Sequence, residues 1–223
     1  QPLPPRAVLL TFDDGYGDHY RYVLPVLEES GVAGLFFPCA RVLRERVVLD
    51  VNKIHFTLAA CGDPAPIAEH CLRRIGELQY EFGLEAPEAY VARFQYPSRL
   101  DDAPTAFVKR LLQRGLPEAA RARLAAEIFL RFVTEDEAAF AEELYLTREQ
   151  IGHMSRAGMD FGAHGLTHRW LDDLDEPQQR AELAGGLDLL RDLGYRPGQF
   201  TIAYPYGGGA TSSTGGSYSL GGT

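Results

Sequence analysis

Three short stretches of the sequence carry side chains that could do chemistry. The first is Asp13-Asp14-Gly15, which directly follows the apolar residues of the stretch VLLTFDDGYG. An Asp-Gly pair after a strand is typical of a simple polar turn. Two adjacent carboxylates also suit a site in which one binds a metal ion and the other accepts protons. This stretch alone leaves both interpretations open.

The second stretch, FGAHGLTHRW, places His164 and His168 four residues apart. That spacing lets two imidazoles face one side of a helical turn and hold one ion, although paired histidines also occur as ordinary surface residues. Gly165 stands where the helical zinc-protease motif has its glutamate, so that motif is excluded. The third stretch, IAYPYGG, contains Tyr204 and Tyr206 and is equally typical of a strand that ends in a tight turn.

The elements around these stretches indicate a parallel α/β fold. The apolar pattern predicts buried strands over 7–12, 32–39, 158–163 and 200–204, and helices over 18–30 and 176–193. The strand–helix–strand opening is typical of a βαβ unit and hence of a parallel sheet. Thr147 and Gln150 have the spacing of a capping box, which predicts a helix start. All three stretches then follow strands, at the edge where parallel α/β folds build their sites.

The middle and the end of the chain differ from this pattern. Residues from about 50 to 146 have mostly helical patterning, and we expect them to form an insertion in one catalytic domain that spans residues 1–223. The stretch 208–223 is almost entirely glycine, serine and threonine. Such a low-complexity tail cannot bury a core. We therefore expect the C-terminal part of the fold to be incomplete.

Composition restricts the partners and the location. The chain has 223 residues and a net charge of −9, which offers no basic surface for nucleic acid or an anionic membrane. No stretch is long and apolar enough to span a membrane. Three cysteines without metal-ligand spacing fit a reducing compartment. We expect a cytoplasmic protein, with secretion after removal of a signal peptide as the alternative, and the oligomeric state is left open.

The stretches TFDDG, HGLTH and AYPYG, in this order, resemble the polysaccharide deacetylases, carbohydrate esterase family 4 with the NodB-homology domain. The resemblance covers residues 7–40 and 147–207 and implies a distorted (β/α) barrel, here with a helical insertion. It also implies that Asp14, His164 and His168 are the ligands of one divalent ion. Zn²⁺ is expected, with Co²⁺, Mn²⁺ or Ni²⁺ as alternatives.

The resemblance further implies the catalytic roles. Asp13 would be the base that takes a proton from water, and Tyr206 would supply a backbone N–H to the oxyanion. We also expect Tyr204 to contact the substrate.

The sequence departs from the family pattern in two features, which concern the orientation of the base and the source of the general acid. Ala203 stands where the family often has an arginine that orients the base, and no histidine follows His168. The family takes its general acid from a later histidine, so this chain needs a substitute. His55 is the residue that we name for that role.

The resemblance implies a metal-dependent hydrolase that removes an N-acetyl group from an amino sugar in a saccharide or polysaccharide precursor. An N-formyl group or a small cyclic amide is an alternative substrate. A catalytically silent carbohydrate-binding protein on the same fold is an alternative of another class, favoured by Ala203 and the missing acid. Retention of Asp13 favours the enzyme, because binding of an ion needs only Asp14 and the two histidines.

Overall fold

The chain divides into two compact units. The computed structural model describes residues 6–196 and 200–207. The first unit combines Gln1–Val47 with Ala138–Thr223, and the second is Val48–Glu137. The first unit contains all three stretches with candidate chemistry.

A parallel sheet of three strands forms the centre of the first unit, in the order β1-β2-β3. The strands are β1, Thr11–Asp14; β2, Leu35–Pro38; and β3, Asp160–Phe161. The α/β class and the parallel pairing are therefore confirmed. The described sheet is open, so closure into a barrel stays a prediction.

The described residues also form ten α-helices. They are α1, Leu24–Ser30; α2, Ala40–Arg44; α3, Asp50–Cys61; α4, Ala65–Phe82; α5, Pro87–Phe94; α6, Ala103–Arg110; α7, Glu118–Phe132; α8, Glu137–Leu144; α9, Arg148–Arg156; and α10, Glu176–Asp192. A π-helical turn, His19–Val23, leads into α1. The capping box predicted at Thr147 is confirmed, because its side chain and that of Gln150 each accept the other's backbone N–H.

The core of the first unit lies around the central strand. Phe36 of β2 is fully buried, and its ring lies 4.7 Å from that of Phe12 and 5.7 Å from that of Phe161. Met154 from α9 and Leu190 from α10 belong to the same apolar cluster. Because burial of such side chains is the main favourable term in folding, the cluster holds the ends of the three strands in place.

The first strand differs from the sequence-based expectation. A fully buried strand is predicted over 7–12, but β1 begins at Thr11, and Val8 and Leu9 are 83% and 69% exposed. The physical reason is that β1 pairs only with β2 among the described residues, so no described strand covers its other edge.

The strand predicted over 200–204 is present only as a single parallel bridge between Ala163 and Ile202. The N–H of Ala163 donates to the carbonyl of Thr201 at 2.9 Å, and the N–H of Ala203 donates to the carbonyl of Ala163 at 3.0 Å. These bonds hold the third stretch beside the chain that leads into the histidine pair.

The second unit is built from α3 to α7. Its core includes several apolar side chains that are at most 1% exposed, among them Ile54, Phe107, Leu111, Leu124 and Ile128. The interpretation of residues 50–146 as an insertion stays a prediction, because a compact helical unit fits an insertion and a separate domain equally well. In the described parts of the chain, no helix combines the length and the hydropathy needed to cross a bilayer.

Gly162 leads from β3 toward the histidine pair and allows a close packing contact. A Cβ atom there would lie 2.6 Å from Cδ1 of Phe37 and 2.8 Å from the carbonyl oxygen of Thr201. We expect Gly162→Ala to lower the free energy of unfolding by about 1–3 kcal/mol through overpacking. Urea denaturation measures this loss.

Gly152→Ala in α9 is the matched control. The added Cβ would meet only Nη1 of Arg156, at 3.5 Å, and alanine is the better helix former by about 1 kcal/mol. Equal destabilisation by the two substitutions would contradict the packing explanation.

Candidate metal centre

Asp14, His164 and His168 lie together in the first unit. Oδ1 of Asp14 is 3.2 Å from Nε2 of His168 and 3.5 Å from Nε2 of His164. One nitrogen or oxygen atom from each residue lies within 4.8 Å of the other two. In the described residues this is the one such cluster of histidine, cysteine, aspartate or glutamate. The structure thus brings together the three residues for which sequence analysis proposes a shared ion.

The hydrogen bond of His164 determines which of its ring nitrogens faces Asp14. Nδ1 lies 2.9 Å from the carbonyl oxygen of Ala203, and a carbonyl can only accept, so Nδ1 carries the proton and donates it. In the neutral imidazole, Nε2 is then an acceptor, and it faces a carboxylate oxygen. The two atoms attract each other when a proton or a metal cation lies between them. Two imidazole nitrogens and one carboxylate therefore fit a divalent ion such as Zn²⁺.

The charge state of Asp14 also suits an oxygen ligand. Burial raises the pKa of the Asp14 carboxyl, but hydrogen bonds to His164 and His168 and the charges of these rings outweigh burial. Together they hold the pKa of Asp14 well below its usual range. The carboxyl therefore stays ionised at neutral pH, as a metal ligand must be.

Asp13, the predicted base, precedes Asp14 at the end of β1. Its side chain is exposed, and its carboxylate forms no hydrogen bond or ion pair with the described residues. An exposed carboxylate beside a cluster of metal-type ligands is accessible to both water and substrate. This accessibility is compatible with the role of base, which stays a prediction.

The third stretch lies beside His168. The ring of Tyr206 is 4.7 Å from the ring of His168 and stacks on Trp170, with a centroid distance of 4.4 Å and an angle of 4°. Tyr204 is half-buried, and its carbonyl accepts the N–H of Gly207 at 3.0 Å. The predicted roles of Tyr204 in substrate contact and of the Tyr206 N–H as oxyanion donor are untested.

Unusual backbone conformations are concentrated at the same place. Asp14, His168 and Tyr206 have φ angles of 67°, 64° and 59°. Among the described non-glycine residues, only Arg6 also has a positive φ. Such conformations are costly, persist only where the surroundings fix them, and cluster at functional sites. The backbone therefore supports a functional role for this cluster.

His55, the named substitute for the general acid, belongs to the second unit. It lies on α3, is exposed, and lines a surface pocket of that unit together with Thr105 and Lys109. Its assignment stays a prediction.

Comparison with known proteins supports the family that the three stretches, in their order, indicate. The family model described as polysaccharide deacetylase matches residues 1–80 and 100–221. The chain therefore belongs to the polysaccharide deacetylase family, carbohydrate esterase family 4, as the resemblance predicts. A comparison with curated protein sequences gives no significant match.

Two solved structures are similar to this chain. One is the Streptococcus pyogenes deacetylase PplD in complex with acetate, at 15% identity and a TM-score of 0.46, over 96% of this chain and 51% of that one. The other is the deacetylase domain of BpsB from Bordetella bronchiseptica, at 15% identity and a TM-score of 0.39, over 96% of this chain and 60% of that one. The chain thus spans between half and two thirds of the length of these structures.

Glu182 of α10 also belongs to this region, although none of the three stretches indicates it. Its carboxylate accepts the backbone N–H groups of Leu166 and Thr167, which lie between the two histidines. The sequence does contain a signal for it, because the pair Gly185-Gly186 follows one turn later. Two glycines in the middle of a helix are unfavourable unless another segment approaches closely.

His19, which begins the π-helical turn, is buried against aromatic rings. Its ring centroid lies 5.6 Å from those of Phe12 and Phe36. Burial lowers the pKa of His19 to about 4, although the charges of Asp14 and Asp18 act in the opposite direction. The ring is therefore neutral at pH 7.

We expect His19 to make the fold acid-sensitive. Its folded-state pKa of about 4 is below the ordinary 6.5, so its contribution to stability is full above pH 6.5 and is lost as the pH falls toward 4. His19→Phe keeps a ring at this position and should reduce that loss. The difference is at most about 3 kcal/mol, since one pKa unit corresponds to about 1.36 kcal/mol.

Urea denaturation of metal-free protein across this pH range measures the effect. His153→Phe is the control, because His153 is exposed and its substitution should leave the pH dependence parallel to that of the wild type. Parallel curves for His19→Phe and the wild type would contradict the burial argument.

Proposed function

We propose that this protein is a metal-dependent hydrolase that removes an N-acetyl group from an amino-sugar unit of a saccharide or polysaccharide. Membership of the polysaccharide deacetylase family supports the reaction class. The proposed ligands are Asp14, His164 and His168, and the expected ion is Zn²⁺, with Co²⁺, Mn²⁺ or Ni²⁺ as alternatives.

One observation carries the proposal. Nδ1 of His164 donates to a backbone carbonyl, so its Nε2 lone pair is directed to the ionised carboxylate of Asp14. Protonated rings would donate to this carboxylate, whereas neutral rings leave acceptor atoms converging on it. A buried group of converging acceptors instead suits a site that receives a cation.

The remaining residues have separate tasks in the proposed reaction. When bound, the ion polarises the amide carbonyl and makes a water molecule more acidic. Asp13 takes the proton of the attacking water, and the backbone N–H of Tyr206 donates to the oxygen that becomes negatively charged. The leaving amine takes up a proton as the C–N bond breaks, and Asp13, which has accepted one from the attacking water, can pass it on. The stacked rings of Tyr206 and Trp170 offer an apolar wall for a sugar ring.

A catalytically silent carbohydrate-binding protein is the second candidate. It is favoured by Ala203, which replaces a polar partner of the base, and by the absence of any histidine after His168 in the sequence. The two candidates differ in what they require of Asp13. Binding needs the ion and its ligands, whereas hydrolysis also needs a base.

Asp13 and Asp14 should therefore respond differently to the same substitution. Asp14→Asn is expected to lose the ion and, with it, all turnover. Asp13→Asn should retain one ion per chain while the release of acetate from N-acetylglucosamine oligomers falls by about 10²–10⁴-fold, the usual contribution of a general base. Metal analysis and an acetate assay on the zinc-loaded chain measure the two properties.

Asp18→Asn is the matched control, because this aspartate is exposed, forms a long ion pair with Arg21 at 3.7 Å and is not one of the proposed ligands. It should change neither metal content nor rate. Acetate release at the wild-type rate by Asp13→Asn would refute the base assignment. Binding of the oligomers by a metal-loaded wild type that releases no acetate would favour the silent binder.

A further inference from the structure

The loop between the two histidines is fixed from one side by a buried carboxylate. Glu182 is 4% exposed, and its Oε2 accepts the N–H of Leu166 at 3.0 Å and that of Thr167 at 2.8 Å. Its Oε1 accepts the hydroxyl of Thr167. Both carboxylate oxygens are thus used on the residues between His164 and His168.

The opposite side of the loop is held by the start of α2. The N–H of Ala40 donates to the carbonyl of Gly165 at 3.2 Å, and the N–H of Arg41 donates to that of Leu166 at 2.9 Å. The Cys39 thiol donates to the same Leu166 carbonyl at 3.1 Å. The loop therefore has its donors directed to Glu182 and its acceptors directed to α2.

Helix α10 can bring Glu182 this close only because two glycines follow it. A Cβ on Gly185 would lie 2.7 Å from Cδ1 of Leu166. A Cβ on Gly186 would lie 3.1 Å from Cβ of Ala163 and 3.2 Å from the carbonyl oxygen of Gly165. Residues three and four apart share a helix face, so Glu182 lies on the face that approaches the loop.

We propose that Glu182 is a positioning residue for the candidate metal centre. It acts through the loop to hold His164 and His168 in the arrangement that binds a divalent ion, and to maintain the positive φ of His168. This inference rests on the proposed function, because the divalent ion is the one proposed there for Asp14, His164 and His168. Substitution of a residue that orients metal ligands commonly lowers metal affinity by about 10–100-fold.

Substitution of Glu182 separates this role from simple stabilisation of the fold. Glu182→Leu leaves both loop N–H groups without their acceptor, and we expect Zn²⁺ affinity to fall by about 10–100-fold. Glu182→Gln should bind within about threefold of the wild type, because its amide oxygen can accept both N–H groups while its amino group donates to Thr167. Competition with a chromophoric chelator measures the affinity, and visible absorption of bound Co²⁺ reports the ligand arrangement.

Gln179→Leu is the matched control on the same helix. Gln179 is also buried, but its side chain donates to the carbonyls of Leu171 and Leu174, at 2.8 and 3.0 Å, outside the loop. This variant should lose thermal stability and keep its Zn²⁺ affinity and Co²⁺ spectrum. Thr167→Val removes only the hydroxyl contact and should weaken Zn²⁺ binding severalfold, which keeps the test decisive if Glu182→Leu does not fold.

Amide hydrogen exchange in the metal-free chain gives a readout that needs no ion. The N–H groups of Leu166 and Thr167 should exchange slowly in the wild type and in Glu182→Gln, and quickly in Glu182→Leu. Wild-type Zn²⁺ affinity in Glu182→Leu, or in Thr167→Val, would overturn the inference, as would an equal loss in Gln179→Leu. A wild type that protects both amides but binds no ion would instead overturn the proposed function, and with it the metal-positioning role.

Discussion

The electrostatic constraint at Asp14 governs the first unit. An ionised carboxylate faces the Nε2 atoms of two buried histidines, and one of these rings already donates its other nitrogen to a carbonyl. Without a proton or a cation between them, these acceptor atoms repel each other in a medium of low dielectric constant. A cation bound at this place would relieve that repulsion, which supports the proposed metal site.

The fold keeps these groups together by fixing the backbone that carries them. The aromatic core around Phe36 holds the strand that pairs with β1, and the bridge at Ala163 positions the third stretch. Positive φ angles at Asp14, His168 and Tyr206 show that local preference is overridden where the side chains converge. Hydrogen bonds from α2 and to Glu182 fix the loop between the two histidines.

Local sequence patterns predicted much of this arrangement. The capping box at Thr147 and the strand–helix–strand opening depend on residues close together in the chain, so the parallel α/β class could be foreseen. The grouping of Asp14 with His164 and His168 followed from the resemblance that the three stretches carry. The exposure of Val8 and Leu9 could not be foreseen, because it depends on which strands flank β1. Glu182 was missed because its partners Leu166 and Thr167 are 16 and 15 residues away in sequence. The pair Gly185-Gly186 signals a close approach to α10 but does not say which segment approaches it.

The most direct test of the account is the coordination of the bound ion, measured by X-ray absorption at the zinc edge on the full chain. The account predicts one Zn²⁺ per chain, with the scattering pattern of two imidazoles and with nitrogen and oxygen ligands at about 2.0–2.2 Å. Absence of a bound ion, lack of imidazole scattering, or sulfur ligands at about 2.3 Å would contradict it.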